Sequence, residues 1–435
     1  MNETSRMQRN LERQADWLPV VEAIERILGA VRRLPAEHVP LLGAPGRTLA
    51  ENVVSPIDHP PWDNSAMDGF AVLAADIAGA SQAAPVVLDI IEDVPAGGFP
   101  TRSMEPGTAV RVMTGAPVPA GTDTVVRVEH TRPVEGDPNQ IRVVRGADAG
   151  RNVRPRGEDL RVGDPVVSAG TVLHAAEMGL LATVGHGVVR VTRRPRLAIL
   201  SNGDELVDLN DFDQVGAGRR IVNSNAYSMA GAVAAAGGEP ILLGIAGDDE
   251  GSIREHLEAS RDADALITTA GASVGEHDLM KGVLEERGFA LDFWRVQMKP
   301  GSPFSFGHLD GMPVFGLPGN PVSALVTFEV LVRPALRRML GRRAVHTPTF
   351  RVRTAEAVKA RPRKTQFLRA TLEDDGRGGR RARLTGPQGS GILSSMTRAN
   401  VLLVVPAGPE AVPAGAELTA IPLPVPDDGV ETPGL

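Results

Sequence analysis

The sequence predicts an α/β multidomain protein, in which smaller, mainly-β units precede a doubly wound α/β unit. Two observations carry this prediction. From about residue 196 to 343, apolar strands alternate with helical segments, which indicates a mostly parallel sheet with helices on both faces. From about residue 49 to 193, short β-like runs are separated by glycine and proline, as is typical of small sheets or barrels.

Chain length and composition support several folded domains. The 435 residues are too many for one core and suffice for about three or four domains. Hydrophobic residues make up 42% and charged residues 23%, which is ordinary for a globular protein. The formal net charge of -7 argues against a general nucleic-acid binder. Local clusters of arginine still allow small anionic ligands.

The chain contains no cysteine. Disulfides, thiolate zinc sites and cysteine nucleophiles are therefore excluded, and any sulfur chemistry needs sulfur from the substrate. Residues 1–14 are polar and lack an apolar stretch of signal-peptide length, and no later run is long enough to span a membrane. We expect a cytoplasmic protein without membrane or nucleic-acid partners.

Periodic apolar residues place elements in the first half of the chain. Leu18, Val21, Ile24, Ile27, Leu28 and Val31 recur at helical spacing and predict an amphipathic helix over 17–33. Three β-like runs follow at 85–91, 109–113 and 124–128, and a helix is predicted at 175–182. We assign these elements to packing.

The α/β unit is predicted from four apolar runs, each followed by a helical segment. The strands are 197–200, 241–245, 265–268 and 313–316, and the helices following the first three are 226–236, 250–260 and 278–287. In such sheets ligands bind at the carboxyl ends of the strands.

Acidic residues gather in the loops that follow the first three strands. Glu205 lies in the first loop, Asp248 in the second and Asp278 in the third. Carboxylate oxygens are natural ligands for Mg²⁺, which also bridges to phosphate oxygens. The alternative is helix capping, and for Asp248 alone the two interpretations are about equal. For the set together, we predict that Glu205, Asp248 and Asp278 hold Mg²⁺.

The fourth strand runs into Gly316-Leu-Pro-Gly-Asn-Pro-Val-Ser323. Pro321 suits the first helical turn, since its missing N–H would be unpaired there, and Gly319 and Asn320 allow a tight turn. A helix that starts with free amides and a partial positive charge is suited to phosphate or a metal oxyanion. The alternative, a strand-to-helix turn without a ligand, accounts for about half of such motifs taken alone.

Two cationic segments accompany this edge of the sheet. Arg295 and Lys299 lie in or just after a short predicted strand, where their charges could bind phosphate or an oxyanion. Arg154 and Arg156 share a loop with Glu158 and Asp159. For this loop, a solvated interdomain turn with its own ion pairs is the alternative interpretation.

Seven motifs occur in one order between about Val20 and Pro424 and resemble a known family. They are Asp63-Asn-Ser-Ala-Met-Asp-Gly-Phe-Ala-Val72, Met113-Thr-Gly-Ala-Pro-Val-Pro119, Arg156-Gly-Glu-Asp159, Ser201-Asn-Gly-Asp-Glu-Leu206, Ser273-Val-Gly-Glu-His-Asp278, Lys299-Pro-Gly301 and Gly316-Leu-Pro-Gly-Asn-Pro-Val-Ser323. The series resembles the molybdopterin molybdenumtransferases (MoeA proteins) and the C-terminal part of gephyrin.

The resemblance implies an elongated, four-part subunit that dimerises. A discontinuous linker or dimerisation domain would comprise 17–60 and 150–195, with a small mainly-β domain at 61–149 inserted in it. A molybdopterin-binding α/β domain would occupy 196–345, and a C-terminal β-barrel-like domain would occupy 346–426.

The resemblance also implies the activity, which is insertion of molybdate into adenylated molybdopterin with release of AMP, and it implies a requirement for Mg²⁺. The implied partners are these two substrates, a second copy of the chain and the adenylyltransferase of the same pathway. The implied catalytic residues are Asp68, Thr114, Asp159, Glu205, Asp278, Arg295 and Lys299. The implied substrate-binding residues are Arg154, Arg156, Ser273, Gly275, Ser302, Pro318, Gly319, Asn320 and Pro321. Asp68, Thr114 and Asp159 are expected to act on the partner subunit's pocket.

The sequence departs from the family pattern in four places. Ser302 stands where many relatives carry lysine, which removes one cation from the expected oxyanion region. Asn223 replaces an acid, 270–273 reads Ala-Gly-Ala-Ser where Gly-Gly-Val-Ser is common, and Gly386-Pro-Gln-Gly-Ser-Gly391 replaces a Gly-His-Gln-Gly-Ser-His type of loop. Each departure is expected to change ligand fit without abolishing binding.

Two alternative functions remain open at the level of the sequence. The first is adenylation of molybdopterin, since the α/β domain also resembles the adenylyltransferases of the pathway. The second is a nonenzymatic pterin-binding scaffold, by analogy with gephyrin. The retained acids favour an enzyme, and ATP consumption, AMP release or binding alone would separate the three functions.

Overall fold

The computed structural model describes residues 17–269, 279–374 and 379–423. The first elements are α1 (Val20–Ala30), β1 (Ala36–Pro40) and β2 (Val53–Val54). The predicted amphipathic helix is confirmed but is shorter than 17–33. Its amino end is limited because Leu18 pairs instead with the segment around Val296, donating its amide to Arg295 O at 3.2 Å. Ala23 and Ile27 of α1 are fully buried, as the periodicity predicts.

The next elements form a separate mainly-β unit. They are β3 (Asn64–Ser65), β4 (Gly69–Val72), α2 (Ala74–Ile77), β5 (Val86–Val94), β6 (Thr108–Val112), β7 (Thr124–Arg127), β8 (Thr131–Val134) and β9 (Asp137–Val143). Six of the strands form one sheet in the order β7-β4-β6-β5-β9-β8. Phe70 and Val72 face one hydrophobic cluster and Ala71 faces another. Both faces of the sheet are therefore covered, which explains why β4 is apolar throughout instead of alternating.

The chain then returns to its first segment. The returning elements are β10 (Val153–Arg154), β11 (Pro165–Val167), α3 (Ala175–Thr183) and β12 (Val188–Thr192). β10 pairs with β3, β11 with β2 and β12 with β1, all antiparallel. Leu49, Leu173, Leu181 and Val191 are buried in one shared cluster. Residues before and after the six-stranded sheet therefore pack together.

The α/β unit contains most of the remaining helices. Its elements are β13 (Arg196–Asn202), β14 (Leu206–Val207), α4 (Asp213–Gly216), β15 (Ile221–Val222), α5 (Ser224–Ala236), β16 (Glu239–Ala246), α6 (Glu250–Glu258), β17 (Ala265–Thr269), α7 (Leu279–Glu286), β18 (Ala290–Trp294), β19 (Met298–Lys299), β20 (Ser305–Leu309), β21 (Met312–Leu317), α8 (Pro321–Thr327) and α9 (Arg333–Met339). A π-helical turn, Phe328–Val332, joins α8 to α9.

The doubly wound sheet predicted from the sequence is confirmed. Its order is β16-β13-β17-β21-β20-β18, and β16, β13, β17 and β21 are parallel. Two more strands extend it antiparallel: β20, which the sequence did not predict, and β18, which ends at Trp294 beside the short strand predicted near Arg295. Leu197 and Ile199 face a cluster that includes α1, α5 and α9, whereas Ala198 and Leu200 face α6 and α7. Alternate residues of one strand therefore pack on helices of opposite layers.

The C-terminal part is a closed barrel. Its elements are β22 (Phe350–Thr354), β23 (Val358–Lys359), β24 (Thr365–Asp374), β25 (Arg380–Leu384), α10 (Ser394–Arg398), β26 (Val401–Val405), β27 (Ala411–Val412) and β28 (Glu417–Pro422). The pairing β24-β25-β22-β28-β26 returns to β24, which closes five strands. β19 of the α/β unit pairs in parallel with β24. The barrel-like domain implied by the resemblance is confirmed, and the exact domain boundaries remain a prediction.

Short 3₁₀ turns at Leu41–Gly43, Val128–His130 and Leu209–Asp211 complete the secondary structure. Among the described residues, every helix is too short or too polar to traverse a bilayer.

Candidate functional site

A cavity of about 540 Å³ opens at the carboxyl ends of the parallel strands. It lies where the sequence predicts the ligand, beyond the ends of β13, β17 and β21. Its polar and turn-forming lining residues are Glu205, Asn223, Ser224, Asn225, Thr269, Gly319, Asn320, Pro321 and Gly391. Four predicted site residues, Glu205, Gly319, Asn320 and Pro321, therefore share one cavity. We call it the strand-end pocket.

Two buried polar side chains that line the strand-end pocket, Asn223 and Thr269, are hydrogen-bonded to a third behind them, Ser201. The hydroxyl of Ser201 donates to Asn223 Oδ1 at 2.9 Å and lies 2.9 Å from the hydroxyl of Thr269. Asn223 Oδ1 also accepts from the Ala226 amide at 3.3 Å and so caps α5. An amide oxygen suffices for that cap. The replacement of an acid by Asn223 therefore leaves the local fold intact.

The turn before α8 is held by neighbours on both sides. Asn225 Nδ2 donates to Gly319 O at 2.7 Å, and Pro318 is buried behind the turn. The expectation that the helix starts with free amides is wrong at Val322, whose amide donates to Ser390 O at 3.1 Å. The loop Gly386–Gly391 of the C-terminal part therefore closes one wall of the strand-end pocket.

Glu205 is exposed at the mouth of the strand-end pocket. A methyl group added at Gly203 would collide with the Glu205 carboxylate, and Gly203 has a φ of +144°. The backbone conformation at Gly203 therefore favours glycine, and a larger residue would also push the Glu205 carboxylate away from this turn.

Asp248 and Asp249 have different roles. Asp249 caps α6 by accepting from the Ser252 amide at 2.8 Å. Asp248 instead accepts from Asn202 Nδ2 at 3.0 Å, and its own amide donates to Asp204 Oδ1 at 3.0 Å. The capping interpretation is therefore wrong for Asp248, which is tied to the end of β13.

The predicted metal ligands are Glu205, Asp248 and Asp278. Asp278 lies outside the described residues, as do Ser273 and Gly275. Within the described residues, no three acidic or histidine side chains are grouped closely enough to hold a metal by themselves. Mg²⁺ commonly takes one or two protein carboxylates and completes its shell with water and phosphate oxygens. The hard oxygens of Glu205 and Asp248 fit that chemistry.

A second cleft of about 220 Å³ lies between the α/β unit and the barrel. Its charged lining residues are Lys299, Lys359, Arg361 and Arg369. We call it the cationic cleft, because none of the described residues that line it is a carboxylate. Burial lowers the pKa of Lys299, and the nearby charges of Arg361 and Arg369 lower it further. A bound anion would relieve this repulsion.

Arg369 is fully buried and holds the loop Gly386–Gly391 in place. Its guanidinium donates to the Ser395 hydroxyl at 2.9 Å and to Gly389 O at 2.9 Å. Its backbone amide donates to Gln388 Oε1 at 2.9 Å. Gln388 lines the cationic cleft and Gly391 lines the strand-end pocket. One short loop therefore forms a wall of both cavities.

Sequence reasoning missed Arg369. The only signal was a single arginine in the apolar run of β24, which is a weak indication without the fold.

Arg295 and Ser302 lie close to the cationic cleft but outside its lining. The Arg295 guanidinium stacks on Trp294 at 3.7 Å and lies 5.0 Å from the centre of the Trp17 ring. The Ser302 hydroxyl donates to Met298 O at 2.6 Å and accepts from Lys364 Nζ at 2.9 Å. Lys364, from the C-terminal part, therefore places an ammonium beside Ser302, which is itself uncharged.

Asp68 and Thr114 meet in the six-stranded sheet unit. Asp68 Oδ1 accepts from the Thr114 amide at 2.7 Å and from its hydroxyl at 2.8 Å. The amide and then the hydroxyl of Thr114 hold the pKa of Asp68 below its usual value. Both residues are exposed. The structure thus presents a fixed, ionised carboxylate on the surface.

The loop with Arg154 and Arg156 belongs to the same part of the folded chain as Asp68 and Thr114. Arg156 Nε pairs with Asp58 at 2.7 Å, and its amide donates to Asp63 at 2.6 Å. Arg156 thus agrees with the interpretation as a turn with its own ion pairs. Arg154 and Asp159 are exposed, and the side chains of both form no ion pair in the part of the chain that the structure describes.

The predicted residues therefore fall into two regions of one subunit. Within residues 17–269, 279–374 and 379–423, no hydrogen bond or ion pair links the side chains of Asp68, Thr114 or Asp159 to the two cavities. Their expected action on the partner subunit's pocket remains a prediction.

Comparison with protein-family models gives three matches along the chain. Residues 18–185 match the MoeA N-terminal region (domain I and II). Residues 198–338 match a probable molybdopterin binding domain. Residues 351–423 match the MoeA C-terminal region (domain IV).

Curated relatives and solved structures are similar over most of their length. A molybdopterin molybdenumtransferase of Nostoc sp. is 36% identical over 394 residues, which cover 89% of this chain and 89% of that protein. Molybdopterin molybdenumtransferase 2 of Mycobacterium tuberculosis is 38% identical over 387 residues, covering 87% and 93%. The crystal structure of a molybdopterin biosynthesis MoeA protein from Pyrococcus horikoshii OT3 superposes with a TM-score of 0.81 at 31% identity, covering 94% of this chain and 100% of that one.

Proposed function

Because the chain belongs to the molybdopterin molybdenumtransferase (MoeA) family, we propose that it inserts molybdate into the dithiolene of adenylated molybdopterin and releases AMP. The observation that carries this proposal is the shared wall of the two cavities. The loop Gly386–Gly391 separates a hydrogen-bonding pocket, whose one charged lining residue among the described residues is Glu205, from a cleft lined by cations. A transferase that joins a large organic substrate to a small oxyanion needs two such sites side by side.

The strand-end pocket suits the adenylated pterin. Its volume of about 540 Å³ is within the usual range for pockets that bind small molecules. Asn225 ties the turn at Gly319 to α5, and the buried Ser201–Asn223–Thr269 network keeps that part of the lining rigid. A rigid pocket orients the substrate before reaction and lowers the entropic part of the barrier.

The cationic cleft suits molybdate, which is a tetrahedral dianion. Lys299 and Arg361 provide donors that balance its charge. Because burial and neighbouring cations lower the pKa of Lys299, binding of a dianion would raise that pKa again and favour the charged ammonium. The chain has no cysteine, so both sulfur ligands of molybdenum come from the pterin.

The proposal includes Mg²⁺ at Glu205 and Asp248, together with Asp278. When bound, the ion would neutralise negative charge on the phosphate linkage of the substrate. Asn202 donates to one oxygen of Asp248, so the fold orients that carboxylate before any ligand arrives. Glu205 is exposed at the mouth of the strand-end pocket, where a bound ion can reach it.

A cytoplasmic homodimer is part of the same proposal. Asp68 and Thr114 form an exposed, hydrogen-bonded pair, and Asp159, from the next motif along the chain, is also exposed. In a dimer these groups would complete the pocket of the partner subunit. Analytical ultracentrifugation at micromolar concentration tests this part, since a monomer would contradict it.

The function is tested by supplying adenylated molybdopterin, molybdate and Mg²⁺ and following AMP release and pterin-bound molybdenum. Glu205→Gln should lower the rate by about a hundredfold, because a charge that acts on the phosphate is lost. Glu239→Gln is the matched control, since Glu239 is an exposed acid at the opposite, amino end of the same sheet. Equal rates for both variants would remove Glu205 from the mechanism. ATP consumption by the chain alone would favour the adenylyltransferase alternative.

A further inference from the structure

Lys364 precedes β24 and lies at the junction between the barrel and the α/β unit. Its ammonium donates to the Ser302 hydroxyl at 2.9 Å. The backbone brings the two residues together, because Met298 and Lys299 of β19 pair in register with Thr365 and Gln366. This contact joins segments that are 62 residues apart. Strand pairing therefore brings the two backbone segments together, and the two side chains make the contact.

Several cations surround Lys364. Burial lowers the pKa of Lys364, and the charges of Arg361, Lys299 and Arg295 lower it further. Lys364 is half-buried. Among the described residues, no carboxylate forms an ion pair with Lys299, Arg361 or Lys364. A half-buried ammonium among like charges is unfavourable unless an anion is bound nearby.

An aromatic ring partly offsets this repulsion. Lys364 Nζ lies 4.4 Å from the centre of the Trp17 ring, and the Arg295 guanidinium lies 5.0 Å from the same centre. The electron-rich face of an indole attracts cations. Trp17 therefore allows Lys364 and Arg295 to remain close to each other. The backbone of Trp17 is held in turn, since Gln297 Nε2 donates to Trp17 O at 2.8 Å.

We propose that Lys364 binds the oxyanion substrate directly, as a third cation beside Lys299 and Arg361, and supplies from the C-terminal part the charge that position 302 lacks. The inference rests on the proposed function and names a further binding residue of that site. Lys364 and Ser302 lie outside the lining of the cationic cleft, but Lys299 and Gln366, which pair in register next to them, both line it. Ser302 has a positioning role, because its hydroxyl accepts from the ammonium at 2.9 Å.

Calorimetric titration of the full-length protein with sodium molybdate tests the proposal. Lys364→Met should weaken molybdate binding by about tenfold or more, because a charge-assisted hydrogen bond is lost. Arg363→Met is the matched control. It removes the same charge one residue away, where the side chain is exposed and makes no hydrogen bond or ion pair within the described residues. Its affinity should stay within about twofold of the wild type.

Lys299→Met separates failure of this inference from failure of the proposed function. If Lys299→Met weakens binding and Lys364→Met binds as the Arg363→Met control does, Lys364 is not a ligand and only this inference is overturned. If the wild type itself does not bind molybdate, the oxyanion site of the proposed function is overturned as well.

Two further variants guard against a merely structural effect. Lys364→Gln keeps a donor for Ser302 without the charge, and it should lose affinity as Lys364→Met does while its thermal unfolding matches the wild type. Ser302→Lys added to Lys364→Met returns an ammonium to the same place and should restore most of the lost affinity. Wild-type affinity in Lys364→Gln, or no recovery in the double variant, would assign Lys364 a structural role and overturn the proposal.

Discussion

Asp248 and Asp249 are neighbours in the chain but serve different elements: Asp249 caps α6 through the Ser252 amide at 2.8 Å, whereas Asp248 accepts from Asn202 at the end of β13 at 3.0 Å. We predict that Asp249→Ala lowers the free energy of unfolding by about 1 kcal/mol, the usual value of an N-cap. Chemical denaturation measures this loss. AMP release per folded molecule should stay near the wild-type rate, and a large fall in that rate would contradict the assignment.

Asp248→Asn should have the opposite profile. The amide is isosteric and leaves α6 capped, so the unfolding midpoint should change little. The loss of one negative oxygen should weaken Mg²⁺ binding by about tenfold or more, because the ion prefers carboxylate oxygens. The measurement is the Mg²⁺ dependence of AMP release in each variant. An unchanged Mg²⁺ midpoint would remove Asp248 from the metal site.

A third prediction concerns the pKa of Asp68, whose carboxylate is hydrogen-bonded to Thr114. The Thr114 amide and hydroxyl hold this pKa below its usual value. Thr114→Val removes the hydroxyl and keeps the amide, so the pKa of Asp68 should rise part of the way toward its ordinary value. Carbon-13 NMR titration of the carboxyl groups measures the shift. The Glu92 carboxyl, which is bonded to Thr101 in the same unit, serves as the internal control and should not move.

The buried carboxylate of Asp148 predicts a pH dependence of stability. Burial alone would raise the pKa of Asp148, but donors from Arg127 and His130 outweigh burial and hold it below its usual value. A carboxyl with a lowered pKa stabilises the fold above its unfolded pKa of about 4. That contribution is lost as the pH falls through the lowered native pKa.

Asp148→Asn should lower the free energy of unfolding by about 2 kcal/mol at pH 7. It should also flatten the decline in stability between about pH 5 and pH 2, because this carboxyl no longer takes up a proton on unfolding. Unfolding midpoints at several pH values measure both effects. A decline as steep as that of the wild type would show that other acids cause it.

A further prediction concerns Arg369, which holds the loop Gly386–Gly391 between the two cavities. Arg369→Lys keeps a positive charge but cannot reach Ser395 and Gly389 together, because only guanidinium offers a planar fork of donors. The variant should lose about 2 kcal/mol of stability through unpaired buried acceptors. Protease cleavage within 386–391 should become faster than in the wild type. Unchanged cleavage would show that Arg369 does not hold the loop.

The α/β unit could be predicted in detail because its strands are long, apolar and regularly spaced. β20 was missed and β18 was indicated only by the short strand predicted beside Arg295, since both mix polar with apolar residues and their pairing is antiparallel, a relation that periodicity does not encode. Glu205 could be assigned to the strand-end pocket from the sequence, because strand ends share one edge. Lys364 and Arg369 were missed for a physical reason, since each depends on β24, and neither the pairing of β24 with β19 nor the closure of the barrel is visible in sequence.

The central claim is that the strand-end pocket and the cationic cleft act together on two substrates. A single-turnover experiment tests it most directly, in which the chain is loaded with adenylated molybdopterin and Mg²⁺ and is then mixed with molybdate. The account predicts that AMP and pterin-bound molybdenum appear at the same rate, and that Lys299→Met slows both equally. AMP release without molybdenum transfer, or molybdenum transfer that is unaffected by loss of Lys299, would contradict it.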